Sequence, residues 1–296
     1  MLDHVNLLEP SLLMLFAIGA IAGVLAALLG IGGGLIMVPV LTIWGATPVQ
    51  AVATSLIGIV FSSISGTYQN WKMKFIDPER VALLAFPAML STELGVWLAN
   101  LLPAEILLIS FAALQIGAIY LIDLKQRLKR KHRVIHPANQ LPPDTGYSSA
   151  STEYGPLHTQ APSKPVVDPK ILPTQGIGLL AGALSGLFGV GGGIVMVPLQ
   201  MLFLEETIKD AVRTSLGAIT LISIWALGRH ALSGNVLWLA GVYLGLGGLL
   251  GAQFGARLLP KLPDTTVSLL FRGLLFVLAI YMVGKALAGW GFHLGS

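Results

Sequence analysis

The stretch Leu29-Gly30-Ile31-Gly32-Gly33-Gly34-Leu35-Ile36-Met37-Val38-Pro39 decides the fold. It returns as Phe188-Gly189-Val190-Gly191-Gly192-Gly193-Ile194-Val195-Met196-Val197-Pro198, 159 residues later, with seven of eleven positions identical. Each copy lies inside an apolar run too long for a soluble core helix, so the glycines must interrupt helices within a membrane. Paired interruptions at corresponding positions of two halves point to a transporter's binding site.

Composition supports the membrane reading. The 296 residues are 54% hydrophobic and 11% charged, with a mean hydropathy of +0.79, which excludes an ordinary soluble domain. The net charge of +4 does not describe a nucleic-acid surface, because six of the 18 Lys and Arg fall between Lys125 and Arg133, directly after an apolar segment. That is where a positive-inside anchor belongs. With no cysteine, neither disulfides nor thiolate metal sites are available, and no cofactor is expected. The acidic tail from Met1 to Pro10 lacks the basic start of a cleaved signal, so the first apolar segment reads as retained.

Apolar segments of spanning length number eight: 11–44 and 171–204, both long and broken at the glycines, and 48–68, 80–101, 104–124, 208–229, 236–259 and 264–287. Further matches extend the repeat. Gly19 and Gly23 correspond to Gly178 and Gly182, Ala51-Val52-Ala53-Thr54-Ser55-Leu56 to Ala211-Val212-Arg213-Thr214-Ser215-Leu216, and Gly95, Leu98 and Pro103 to Gly255, Leu258 and Pro263. The expected fold is therefore all-α and polytopic, with two homologous four-segment halves at 11–124 and 171–288. Between them, 125–170 is basic and then rich in Pro, Ser, Thr and Gly, a linker without the apolar surface to fold. Putting the basic cluster inside places the linker and both termini in the cytoplasm of a bacterial inner membrane, and an even crossing count makes the repeats parallel. The count rests on 11–44 crossing once, although one straight helix of that length would run about 50 Å. A re-entrant 35–44 would change it.

A half-helix restarting at Leu35 or Ile194, with Pro39 and Pro198 in its first turn, would aim free N–H groups and a partial positive charge into a cavity. A small oxyanion suits such a site. Candidate substrate-binding residues are Gly32, Gly33, Gly34, Gly191, Gly192 and Gly193 at the breaks, with the hydroxyls of Thr54, Ser55, Thr214 and Ser215. Arg213 either supplies one positive charge there or snorkels to the interface. Glu93 is the candidate for proton coupling, against a structural role in a hydrogen bond to a neighbouring helix. Tyr68, Gln69, Asn70, Trp71 and His230 read as interfacial. The glycine pattern fails as a dinucleotide fingerprint because Leu35 and Ile194 stand where its third glycine belongs.

The duplicated G-x-G-G-G-x-x-x-x-P block, the following T-S-L block and the G-x-x-x-G-x-x-L-x-x-x-x-P pattern of the third segment resemble the sulfite exporter TauE/SafE family, also called toluene sulfonate uptake permeases. The resemblance covers 11–124 and 175–287. It implies an inner-membrane carrier for sulfite, organosulfonates or related sulfur-containing anions, with the lipid bilayer and the anion as partners, a proton or sodium ion as coupling candidates, and no nucleic acid. Ser91 and Thr92 depart from the pattern, standing where the second half has Gly251 and Ala252. Sequence leaves the oligomeric state open and does not separate a carrier from a passive anion channel. A remoter alternative is an intramembrane hydrolase using Ser185 and His230, although Ala183-Leu184-Ser185-Gly186 lacks the first glycine of such a nucleophile motif.

Overall fold

The computed structural model describes residues 12–135 and 171–293. The acidic N-terminal tail and the linker from residue 136 onward lie outside the described residues. All regular structure among the described residues is helical. Ten α-helices follow in order: α1 (Leu12–Leu29), α2 (Gly34–Ile43), α3 (Pro48–Lys72), α4 (Pro78–Leu101), α5 (Ala104–Ile135), α6 (Ile171–Phe188), α7 (Gly193–Phe203), α8 (Ile208–Leu232), α9 (Trp238–Leu258) and α10 (Asp264–His293). Eight of them are long and apolar enough to cross a membrane; α2 and α7 are shorter apolar helices. Their outer faces are paved with large apolar side chains such as Phe86, Leu94, Phe254 and Phe276, as a lipid-facing surface requires.

Helix starts follow local chemistry. Thr47 caps α3 through a reciprocal box, its hydroxyl accepting from the Gln50 N–H and the Gln50 side chain accepting from the Thr47 N–H, with Pro48 in the first turn where no donor is needed. Thr207 caps α8 by accepting from the Asp210 N–H, and Asp77 caps α4 from Glu79. Pro39 and Pro198 lie in the second turns of α2 and α7, not the first, because each half-helix already begins at the third glycine of its triplet.

Close packing is built on glycine. Gly19 and Gly23 face the backbone at Leu244 and Gly248 of α9, while Gly178, Gly182 and Gly186 face Leu84, Ala88 and Thr92 of α4. Four-residue spacing lets two backbones approach in this way. The contacts also fix direction. Both series advance together, so α1 runs parallel to α9 and α6 parallel to α4. Ile57 meets Gly241, Phe61 meets Gly245 and the Ser65 hydroxyl donates to the Leu249 carbonyl, so α3 also runs with α9. In contrast, α3 and α8 are antiparallel: Leu216 covers Gly66, and Ala226 clusters with Leu56.

At the first glycine break the chain reverses. Gly33 lies beside Ala22 and Ala26 of α1, and Leu41 at the far end of α2 clusters with Leu15. Thus α2 returns toward the face from which α1 started; the segment 11–44 enters and leaves on one face as a re-entrant pair and adds no net crossing. This overturns the even crossing count. α1, α3, α5 and α9 leave the face that holds Leu12, so the end of α5 at Ile135 and the start of α6 at Ile171 lie on the opposite face. Leu107 and Leu108 at the start of α5 sit with Met282 near the end of α10, beside Thr42 and Val52, so α10 ends on the Leu12 face. The expected shared location of linker and termini, and the parallel direction of the repeats, are both incompatible with this path.

Candidate functional site

The two glycine breaks meet at the centre of the protein. Gly33 and Gly192 precede α2 and α7 with φ of 88° and 74°, left-handed values that glycine adopts without a Cβ clash. A Cβ on Gly34 would stand 2.5 Å from the Gly189 carbonyl oxygen, and one on Gly193 would strike the Gly30 carbonyl. Each break is thus packed on the other's backbone. Ile59 and Ile219 close over Gly32 and Gly191, and all six triplet glycines are buried. The N-termini of α2 and α7 converge here and the helices depart toward opposite faces, which concentrates two positive helix ends at one point.

Hydroxyl groups pin these breaks. Ser55 donates to the Val52 carbonyl at 2.8 Å and to the Gly189 carbonyl at 3.1 Å. Ser62, one residue type the sequence reading passed over, donates to the Gly32 carbonyl at 3.0 Å. Thr54 lies elsewhere, accepting from the Leu237 N–H at the start of α9. Thr214 donates to the Asp210 carbonyl of its own helix, and Ser215 accepts from the Gln200 side-chain amide at 2.7 Å. The structure therefore brings the glycines and Ser55 together and sets Ser215 beside Gln200 of α7, while the Thr214 hydroxyl bonds back to its own helix.

Arg213 does not reach the breaks. Its guanidinium pairs with Asp210 at 3.2 Å and lies 3.9 Å from the centroid of the Phe75 ring, a cation–π seat near the linker-side interface. Glu93 is engaged from α8 on both oxygens: the Trp225 indole donates at 2.9 Å and Arg229 pairs at 2.8 Å. That is the arrangement of an inter-helix tie.

A small cavity of about 40 Å³ opens on the linker-side face among α4, α6, α7 and α8. Thr214 lines it together with Thr174, Gln200, Arg80 and Glu206, over apolar walls from Leu84 and Leu204. Gln200 is fully buried; its Oε1 has no hydrogen-bond partner among the described residues. It was missed in the sequence, although a lone amide in an apolar half-helix, with Leu41 at the matching position of the other copy, is a legible signal.

Tyr68 and Trp71 are exposed as interfacial residues should be, whereas Asn70 and His230 are fully enclosed and Gln69 is buried, so the interfacial expectation fails for those three. Burial also bears on the hydrolase alternative. The Ser185 hydroxyl has no hydrogen-bond partner among the described residues, so the Ser185–His230 nucleophile–base hydrogen bond that such chemistry uses is not formed there. Nor do the described residues contain a group of three or more His, Cys, Asp or Glu able to hold a metal.

Comparison with known proteins agrees with the helical membrane architecture. The family model described as Sulfite exporter TauE/SafE matches residues 15–282. A probable membrane transporter protein of Bacillus subtilis (strain 168), YunE, is 29% identical, over 92% of this chain and 97% of its own length. A probable membrane transporter protein of Methanocaldococcus jannaschii is 28% identical, over 72% of this chain and 70% of its own, and one of Xylella fastidiosa (strain 9a5c) is 23% identical over 94% and 97%. No solved structure matches the chain.

Proposed function

Since the chain belongs to the sulfite exporter TauE/SafE family of membrane transporters, we propose that it is a secondary carrier for a small oxyanion, sulfite or an organosulfonate, bound where the two glycine breaks meet. The observation that carries this reading is the apposition of Gly34 with Gly189 and of Gly193 with Gly30. It sets the N-termini of α2 and α7 at one central point, where helix-start N–H groups, which lack intrahelical acceptors, and two helix dipoles favour an anion. The conformation described is shut there, and an anion gains access when the two breaks move apart.

Two repeats of opposite direction, related by an axis in the membrane plane, supply that motion. Exchanging which repeat rocks against the other opens first one face and then the other. Orientation follows from charge. The reversal at Gly30–Gly33 puts Lys72, Lys74, Arg80, Lys209, Arg257 and Lys261 on the same face as the Lys125–Arg133 cluster, leaving Arg229 and Lys285 toward the other. The positive-inside rule makes the linker face cytoplasmic, so the ends of α1 and α10 at the Leu12 face are extracytoplasmic in a bacterial inner membrane.

The test is uptake of labelled sulfite into proteoliposomes, with and without an imposed pH gradient, competed by sulfate, thiosulfate, sulfoacetate and taurine. Saturable uptake competed by one of these is expected, and counterflow distinguishes a carrier from a channel. Uptake no greater than in protein-free vesicles, for every anion of the set, overturns the reading.

A further inference from the structure

The cavity on the linker-side face has a mouth, walls and a floor of different chemistry. At the mouth, Arg80 in the first turn of α4 reaches across to Glu206 in the joint between α7 and α8, Nη1 to carboxylate at 3.0 Å. Its Nε is held by Asp77 at 3.2 Å. The Arg80 side chain is 52% exposed and that of Glu206 only 7%, so the guanidinium stands half in solvent over a carboxylate tucked beneath it. This pair ties an element of the first sequence repeat to one of the second. At the floor, Gln200 is fully buried, gives Nε2 to Ser215 and has no partner for Oε1 among the described residues.

We propose that this cavity is the cytoplasmic-side stop of the transported anion, and that the Arg80–Glu206 ion pair is its gate. The proposal rests on the carrier reading above and adds a second site with its own residues. An anion approaching the linker face meets the exposed guanidinium first, and the planar fork of donors on arginine suits an oxyanion. Glu206 is a tethered competitor. While Arg80 holds it, the mouth is bridged; when the anion takes Arg80, the link between the repeats is released. A half-exposed ion pair is weak enough for such an exchange.

Gln200 then reads the anion that enters. A half-turn about the terminal side-chain torsion exchanges its amide oxygen and nitrogen, so that Ser215 donates to Oε1 and the freed amide N–H groups turn to the ligand. A neutral donor is suited to a stop that must also release its ligand. With the pair closed the cavity offers about 40 Å³, room for about two or three waters, so an oxyanion seats only after the mouth has parted.

Because the chain has no cysteine, Thr174→Cys supplies a single reporter in the cavity wall. In inside-out vesicles it should react slowly with N-ethylmaleimide. Glu206→Gln or Arg80→Ala should accelerate the reaction several-fold, and the charge-reversed pair Arg80→Glu with Glu206→Arg should restore the slow rate. Equal rates in all four proteins, each checked for monodispersity, overturn the gate. In the Glu206→Gln background, methanesulfonate, which unlike sulfite does not consume the maleimide, should slow labelling saturably. Gln200→Leu should remove that protection while leaving the unprotected rate unchanged. Protection that survives Gln200→Leu overturns the role of Gln200, and no protection at any concentration overturns the anion stop. Absent uptake with pair-dependent labelling would sink the carrier reading alone; intact uptake with pair-independent labelling would sink the gate alone.

Discussion

Ser62 of α3 donates its hydroxyl to the Gly32 carbonyl at 3.0 Å, and so fastens the first glycine break to the helix that crosses the centre of the protein. Its neighbour Ser63 is equally buried but donates only to Val60 of its own helix. The pair separates a tertiary hydrogen bond from a local one at almost the same depth. Ser62→Ala leaves the Gly32 carbonyl without that donor and should cost about 1 kcal/mol, in the ~0.6–2 kcal/mol range of hydrogen bonds within membrane proteins. Ser63→Ala should be close to neutral. Thermal unfolding in detergent reads the difference, and equal losses would remove Ser62 as a fastener of the break.

The glycines should divide by what surrounds them. Gly34→Ala places a Cβ 2.5 Å from the Gly189 carbonyl oxygen and 2.6 Å from Ile59 Cδ1, and backbone atoms cannot step aside as a flexible side chain would. Gly117, inside α5, has nothing within 4 Å of its Cβ position. There alanine should stabilise by up to about 1 kcal/mol through helix propensity. The expected outcome is loss of transport for Gly34→Ala with transport kept and thermal stability unchanged or raised for Gly117→Ala. Wild-type flux in Gly34→Ala would mean that the two breaks need not touch.

Much of this architecture is written in the sequence, and its gaps have physical causes. Eight apolar spans, both breaks and the Ser55 hydroxyl at a break follow from length, repetition and the cost of unwound backbone in lipid. The reversal at Gly30–Gly33 does not, because an apolar run of 34 residues (Ser11 to Trp44) is compatible with a tilted crossing or with a return. What decides is a set of φ values and the contact of Gly33 with Ala22, and neither is a property of composition. Asn70 and His230 were hidden for a related reason. Their positions near helix ends suggest an interface, yet both are fully enclosed.

Glu93 carries a sharper prediction than its position alone allows. If it shuttled protons, Glu93→Gln would abolish any acceleration of uptake by a pH gradient. Held by Trp225 and Arg229, it should behave as a tie instead. Glu93→Gln keeps an acceptor for the indole and removes the partner of Arg229, which within a membrane costs at most about 2.5–3.5 kcal/mol for a centrally placed unpaired arginine and less near an interface. The expected result is lower thermal stability with the gradient response intact, partly rescued by Arg229→Gln. Loss of the gradient response at unchanged stability would return Glu93 to the coupling role.

The path of the chain gives the most direct test, since the two topologies disagree about a pair of loops. An even crossing count puts the α3–α4 and α8–α9 turns on one side. The reversal at Gly30–Gly33 puts them on opposite sides, because α3 and α8 run antiparallel through the contacts of Gly66 with Leu216 and of Leu56 with Ala226. Lys74, in the first turn, has a positive φ of 59° and Gly234, in the second, one of 71°, so each position lies in a tight turn outside its helices. With no native cysteine, Lys74→Cys and Gly234→Cys each carry a single thiol for a membrane-impermeant maleimide. In spheroplasts Gly234→Cys should label and Lys74→Cys should not; in inside-out vesicles the pattern should invert. Labelling of both from one side would overturn the re-entrant half-helix, and with it the opposite direction of the repeats on which the proposed alternating access at the central glycines depends.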